Sequence, residues 1–265
     1  MEKTMTVFVR AGLVAALYAS LAPSASAQWQ ASAGPGVRGV IHAEYGTDGH
    51  RLVRESGWLP GMALQAGYRT GRFTWLAGVD WYRGGIGYRG QNQAGVATAS
   101  TTSTWLAAAH LGAAYALGQN DSILLAVEAD RWRRDIHGTS VGAGLQERYR
   151  STRLVGGTSR VWHAAPGTLS ADGALVLVAP ERLRVGFSGV LDPATFQTRR
   201  GYGLRLGVGM RPTAAPYLEV RGRYDWVRTP RSGDAPLTAG MRLVGTVAQP
   251  EHVRQGLTLT VSAAF

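Results

Sequence analysis

The sequence predicts an all-β chain folded as a transmembrane, antiparallel, up-and-down β-barrel of about twelve strands, and three observations carry that expectation. The hydrophobic period is two rather than 3.6 residues. The alternating segments run about ten residues, the length at which a tilted strand crosses a bilayer. Aromatic residues gather at segment ends, with Tyr68, Phe73 and Tyr115 beside short turns and Trp81, Trp105 and Trp226 near the opposite ends, as two interfacial girdles require.

The chain opens on an export signal. Lys3 and Arg10 flank a positive start, Ala11 to Ala22 is largely apolar, and Ala25-Ser26-Ala27 reads as a cleavage site, so residues 1–27 are expected to be removed and 28–265 to form a single barrel domain. About twelve apolar residues are too few to cross a hydrocarbon layer of ~30 Å as a helix.

Alternation is clearest in four places. Leu257, Leu259, Val261, Ala263 and Phe265 share one face of the last segment. Phe73, Trp75, Ala77, Val79 and Trp81 do so in a second, Leu218, Val220, Gly222, Tyr224 and Trp226 in a third, and Tyr202, Leu204, Leu206, Val208 and Met210 in a fourth. The intervening residues are small or charged, as expected where one face meets lipid and the other a lumen. Strand-like runs cover Val37 to Tyr45, Trp58 to Arg69, Arg72 to Arg83, Thr102 to Leu117, Ser122 to Arg134 and Glu147 to Trp162. They continue through Thr168 to Ala179, Leu183 to Leu191, Gly201 to Arg211, Tyr217 to Val227, Leu237 to Ala248 and Gly256 to Phe265. Ten strands follow if the runs around Pro180, or Leu237 to Ala248, lie outside the bilayer. The Ala-rich run Trp105 to Leu117 has helical propensity, yet it is too short to span lipid as a helix and leads into the tight turn Gly118 to Asp121. Short connections such as Arg69 to Arg72 alternate with long polar ones, Thr47 to Gly57, Gly84 to Thr101 and Asp135 to Gln146, expected as periplasmic turns and extracellular loops.

With its signal segment and the terminal strand Gly256 to Phe265, the sequence resembles the Gram-negative outer-membrane β-barrel proteins. That resemblance implies residence in the cell outer membrane among lipid and lipopolysaccharide. It also implies recognition of Leu257, Leu259, Val261 and Phe265 by the barrel assembly machinery. The soluble alternative is a secreted β-sandwich.

Composition removes other classes. Lys and Arg together number 28 against 17 Asp and Glu, a formal charge of +11, and every basic residue but Lys3 is Arg. The charge is dispersed, densest at Arg131-Trp132-Arg133-Arg134, and offers no contiguous footprint for nucleic acid. Such arginines can instead hold lipid phosphates at the rims or bias a lumen toward anions. Without cysteine there is neither a disulfide nor a thiolate metal site. Two G-x-G-x-x-G matches, Gly34 to Gly39 and Gly85 to Gly90, fall in strand-like sequence without the helix that phosphate binding needs. No cofactor or metal is expected.

The alternation turns a set of charged residues inward: Asp80, His110, Glu128, Asp130, Arg134, Arg205, Glu219, Arg221, Arg223, Asp225 and Arg242. Unpaired charge in a narrow lumen is costly, so these are expected to form an ion-pair network, and the protein to be a non-enzymatic barrel, either a narrow pore or closed. The alternative is an outer-membrane hydrolase of lipid or peptide in which Asp80 or Glu128 orients His110 as a general base.

Overall fold

The computed structural model describes residues 27–91, 95–140 and 142–265, so the predicted leader lies outside the described residues except for Ala27. Every regular element among them is a strand: β1 (Ala27–Tyr45), β2 (Arg51–Thr70), β3 (Phe73–Gln91), β4 (Ala97–Ala116), β5 (Asp121–Ile136), β6 (Leu145–Ala164), β7 (Gly167–Val178), β8 (Arg182–Gly186), β9 (Ala194–Gln197), β10 (Gly201–Pro212), β11 (Leu218–Thr229), β12 (Ala235–Ala239), β13 (Arg242–Val247) and β14 (Glu251–Ala264).

Ten of these are staves of one closed antiparallel barrel. Neighbours pair in the ring order β1, β2, β3, β4, β5, β6, β7, β10, β11, β14, and β14 returns to β1 through contacts from Tyr45 opposite Glu251 to Ser32 opposite Ala264. Closure leaves no sheet edge, which is what lets a β structure satisfy its backbone inside lipid. The ten-stranded alternative therefore holds and the count of twelve does not. Leu183 to Leu191 is no separate stave: β8 carries the line of β7 past Ala179 to Glu181 and pairs with the upper part of β6, while β9 does the same for β10. Leu237 to Ala248 belongs to the separate β12–β13 hairpin, closed by Gly240 (φ 56°) and Met241 (φ 66°). Two successive positive φ values are the signature of a tight hairpin turn matched to strand twist.

Outward-facing side chains define the lipid contact. Leu204, Leu206 and Val208 on β10, Leu175 and Leu177 on β7, Ile123, Leu125 and Val127 on β5, and Leu257, Leu259 and Val261 on β14 are all exposed. The Ala-rich β4 is a strand, not a helix, and within it Ala109 and Leu111 are exposed while His110 and Gly112 are half-buried. Aromatics edge the band: Trp29 packs on Tyr68 and Phe73 on Tyr115 at the short-turn end, while Trp58, Trp81 and the Tyr202–Trp226 pair lie toward the other. Both described chain ends lie at the short-turn end.

Five staves are 19 or 20 residues long, far more than a bilayer needs. The segments expected as long loops, Thr47 to Gly57 and Gly84 to Thr101, are mostly wall, since β2 begins at Arg51, β3 runs to Gln91 and β4 begins at Ala97. The reason is physical. Above the lipid band the outer face meets water, so its residues turn polar and the apolar-out alternation disappears, although the inner face still carries buried Ile86, Tyr88, Thr102 and Thr104. The third such segment, Asp135 to Gln146, does contain a connection between β5 and β6. Both G-x-G-x-x-G matches lie within strands.

Leu206 sits near the middle of the lipid band. Replacing it with Arg should destabilise the barrel by about 2–4 kcal/mol in urea titrations with phospholipid vesicles. Replacing Arg200, outside the band, with Leu should leave stability within about 0.5 kcal/mol.

Candidate functional site: a charge-paired lumen

The inner face of the staves brings charged residues together in two layers. In the lower one, level with the lipid band, Arg205 (β10) reaches Glu128 (β5) with Nη1 to Oε1 at 2.5 Å and Nη2 to Oε2 at 2.9 Å, and donates from Nε to Asp225 Oδ1 at 2.6 Å. Arg223 donates to Asp80 Oδ2 at 2.9 Å and lies 3.3 Å from Asp225 Oδ2. Arg38 donates to Thr258 Oγ1 at 3.1 Å and comes within 3.5 Å of Asp225, while Arg153 donates to Asp130 Oδ2 at 2.6 Å. Four guanidinium groups thus meet four carboxylates, and the layer carries no net charge. In a low-dielectric wall that neutrality decides whether buried ions can be kept at all.

His110, on β4, faces the same space. Its ring occupies room left by Gly78, where an added Cβ would come within 2.3 Å of Cε1. It forms no hydrogen bond with another described residue, and the two carboxylates expected to orient it are held by Arg223 and Arg205. A cavity of about 50 Å³ remains among Asp80, His110, Glu128, Trp132, Arg223 and Asp225. That is room for a few water molecules.

The upper layer lies beyond the lipid band. Arg134 (β5) donates to Glu147 Oε2 at 2.5 Å and to Glu44 Oε1 at 3.3 Å, and its Nε lies 2.9 Å from Glu55 Oε2. Tyr149 donates to Glu147 at 3.0 Å, Thr102 to Glu55 at 2.5 Å and Trp132 Nε1 to Thr104 at 2.5 Å. Beside this, Arg254 grips Glu181 through both terminal nitrogens at 2.8 and 3.0 Å and stacks over Trp132 and Tyr149, with His252 3.0 Å from the same carboxylate. Leu59, Leu183, Trp132, Tyr149, Arg134, His42 and His252 are almost completely buried. Ala235, Leu237 and Val247 of the β12–β13 hairpin pack against the same apolar cluster.

Three carboxylates around one guanidinium are a surplus of negative charge, and Glu147 relieves part of it. Burial, opposed by Arg134 and reinforced by Glu44 and Glu55, pushes its pKa up to about 7. Burial and then Arg134 hold His42 well below the ordinary histidine range, so its imidazole is neutral. Burial disfavours the Glu44 anion as well, but the His42 hydrogen bond and the Arg134 charge outweigh it, leaving its pKa below the usual carboxylate range.

Of the residues read as inward-facing, Asp80, Glu128, Asp130, Arg134, Arg205, Arg223 and Asp225 join these layers, and His110 lies in the lower cavity. Glu219 and Arg221 are nearer the short turns, where Arg221 pairs with Asp172 and Glu219 accepts from Arg211 at 3.0 Å. Arg242 does not join. It lies exposed on β13, because the alternation of its run belongs to a hairpin outside the barrel wall. Arg38, Arg153 and the upper carboxylate group were not singled out by the sequence. Arg38, like Leu59, sits on the inner face in strict alternation with Val37, and that was the available signal.

A closed antiparallel barrel with an apolar outer band, aromatic edges and a charged interior is the fold of the Gram-negative outer-membrane β-barrel proteins. The outer-membrane protease OmpT of Escherichia coli has a similar structure, with a TM-score of 0.58 at 10% identity, covering 93% of this chain and 99% of that one. The translocator domain of the autotransporter NalP from Neisseria meningitidis aligns with a TM-score of 0.46 at 11% identity, over 98% of this chain and 96% of that one. Neither a protein-family model nor a curated protein matches the sequence.

Glu147 gives the site a pH signature. Its folded pKa is raised, so the folded state holds a proton that the unfolded state has released between the ordinary carboxylate value and about 7, and the stability this contributes is lost as pH rises through that window. Comparing Glu147→Gln with the parent cancels the other titrations. The difference in unfolding free energy should move in favour of the variant by up to about 3 kcal/mol between pH 5 and pH 8. A difference independent of pH would show that Glu147 titrates normally.

Proposed function

We propose that the protein is an integral outer-membrane barrel with a closed lumen, non-enzymatic and non-conducting, whose extended wall stands above the membrane on the side away from the chain ends. The observation that supports this most is the transverse pairing of charge: Arg205 with Glu128, Arg223 with Asp80, and Arg134 with Glu44 and Glu55 tie strands across the lumen in two successive layers. An anion-selective pore needs cations free to face the permeant ion, and these arginines are neutralised by carboxylates. The aromatic layer of Trp132 and Tyr149 and the packed β12–β13 hairpin support closure from the outer side.

The same pairing speaks for a non-enzymatic barrel over the hydrolase alternative. A general base needs a proton acceptor beside its substrate, and a histidine partnered by a carboxylate is held in the required tautomer. Here both candidate carboxylates serve arginines, and the cavity beside His110 is of water size.

Reconstituted in planar bilayers, the folded protein should give no single-channel steps. Trp132→Ala with Tyr149→Ala, checked for folding by retarded migration on unheated gels, should begin to conduct. Steady conductance of the unaltered chain would overturn the closed reading. Hydrolysis of lipid or peptide that disappears in His110→Ala would overturn the non-enzymatic one.

A further inference from the structure

The outer wall of β5, β6 and β8 carries a grid of six exposed arginines: Arg131 and Arg133, Arg150 and Arg148, Arg182 and Arg184. The strand registers set them side by side. Arg131 lies opposite Arg150 and Arg150 opposite Arg182; Arg133 lies opposite Arg148 and Arg148 opposite Arg184. Neighbouring strands are about 4.8 Å apart and alternate residues about 6.7 Å apart, so six cations share a small area of wall. Like charges placed directly opposite across a ladder destabilise it. Asp135 stands above Arg133 on the same outer face, yet none of the six makes an ion pair with another described residue; Arg133 stacks over Trp105 at 5.1 Å. The lumen arginines, by contrast, are paired with carboxylates. Asp135 is one carboxylate beside six cations, so most of the counter-charge for the grid has to come from outside the chain.

Position says what supplies it. Below each pair the outer face turns apolar: Val127 is four residues below Arg131, Leu154 four below Arg150, and Leu177 five below Arg182, all three exposed to lipid. The grid therefore begins where the hydrocarbon ends and rises through the headgroup layer. Long arginine side chains can direct their charge down to that level. Arg148, Arg150, Arg182 and Arg184, with Pro193 and Thr195, line a groove of about 270 Å³ on this wall.

We propose that this grid is a docking site for a multiply phosphorylated lipid of the surrounding leaflet, held by bidentate guanidinium–phosphate contacts. The planar fork of Arg fits phosphate oxygens in pairs, and six cations in two rows exceed what one phosphate can neutralise. The proposal rests on the membrane-spanning reading and is independent of whether the lumen is closed.

The test uses the folded full chain in neutral detergent, with bisphosphorylated lipid A, dephosphorylated lipid A and inorganic pyrophosphate as probes. The bisphosphorylated lipid should bind, with an affinity that falls as salt rises. Affinity should drop at least about tenfold in the quadruple variant R148Q/R150Q/R182Q/R184Q and be unchanged in R69Q/R72Q at the opposite end. If the quadruple variant does not fold, R148Q/R184Q serves in its place with a smaller loss of the same sign. Equal binding by variant and parent, or no binding by the parent, overturns the site. Pyrophosphate binding as tightly as the lipid overturns the lipid assignment in favour of a soluble anion. Conductance by the parent would refute the closed lumen while leaving this result intact.

Discussion

The structure depends on the neutralisation of charge inside a closed wall. A barrel of ten strands encloses more space than its apolar side chains fill, and this chain fills it with arginines and carboxylates that reach across the lumen. An isolated ion there would cost several kcal/mol even after relaxation. The costs are offset because the guanidinium groups find carboxylates at hydrogen-bond distance, and around Arg134, where three carboxylates meet one guanidinium, the raised pKa of Glu147 lessens the remaining negative charge. Transverse pairs then do what a packed core does in a soluble domain: they join strands distant in the ring, such as β5 with β10 and β3 with β11.

The same residue type behaves oppositely on the two sides of the wall. Inside, Arg134, Arg205 and Arg223 are buried against carboxylates and tie strands together across the lumen. Outside and above the lipid band, arginines of β5, β6 and β8 stand opposite one another without ion-pair partners among the described residues. The positive net charge of the chain is thus not uniform. The interior consumes its share, and the outer wall presents the remainder to the membrane surface and the water beyond.

What the sequence revealed follows the lipid. Within the bilayer one face must be apolar, so alternation in Phe73 to Trp81, Tyr202 to Met210 and Leu257 to Phe265 identified the strands, their lipid-facing residues and, by parity, the inward Asp80, Glu128, Arg205, Arg223 and Asp225. Beyond the bilayer that constraint ends. Water accepts Arg54, Arg89 and Thr101 on the outer face, the dyad fades, and wall reads as loop, which hides Glu55; His42, Glu44 and Glu147 lie in runs that read as strand, where parity is the signal for them as it is for Arg38. Arg242 failed for the converse reason. An isolated two-stranded hairpin also alternates, and periodicity alone does not say whether a strand joins the ring.

In the closed barrel proposed above, charge pairs spanning the lumen couple strands that are distant in the ring. A double-mutant cycle on Arg205 and Glu128 tests it most directly, by comparing unfolding free energies of Arg205→Leu, Glu128→Leu and the double variant in lipid vesicles. Each single change should cost about 3–5 kcal/mol by stranding the partner's charge, and the double variant should be less destabilised than the sum by about 2 kcal/mol or more. Additivity within about 0.5 kcal/mol would contradict it, because the two side chains would then contribute independently.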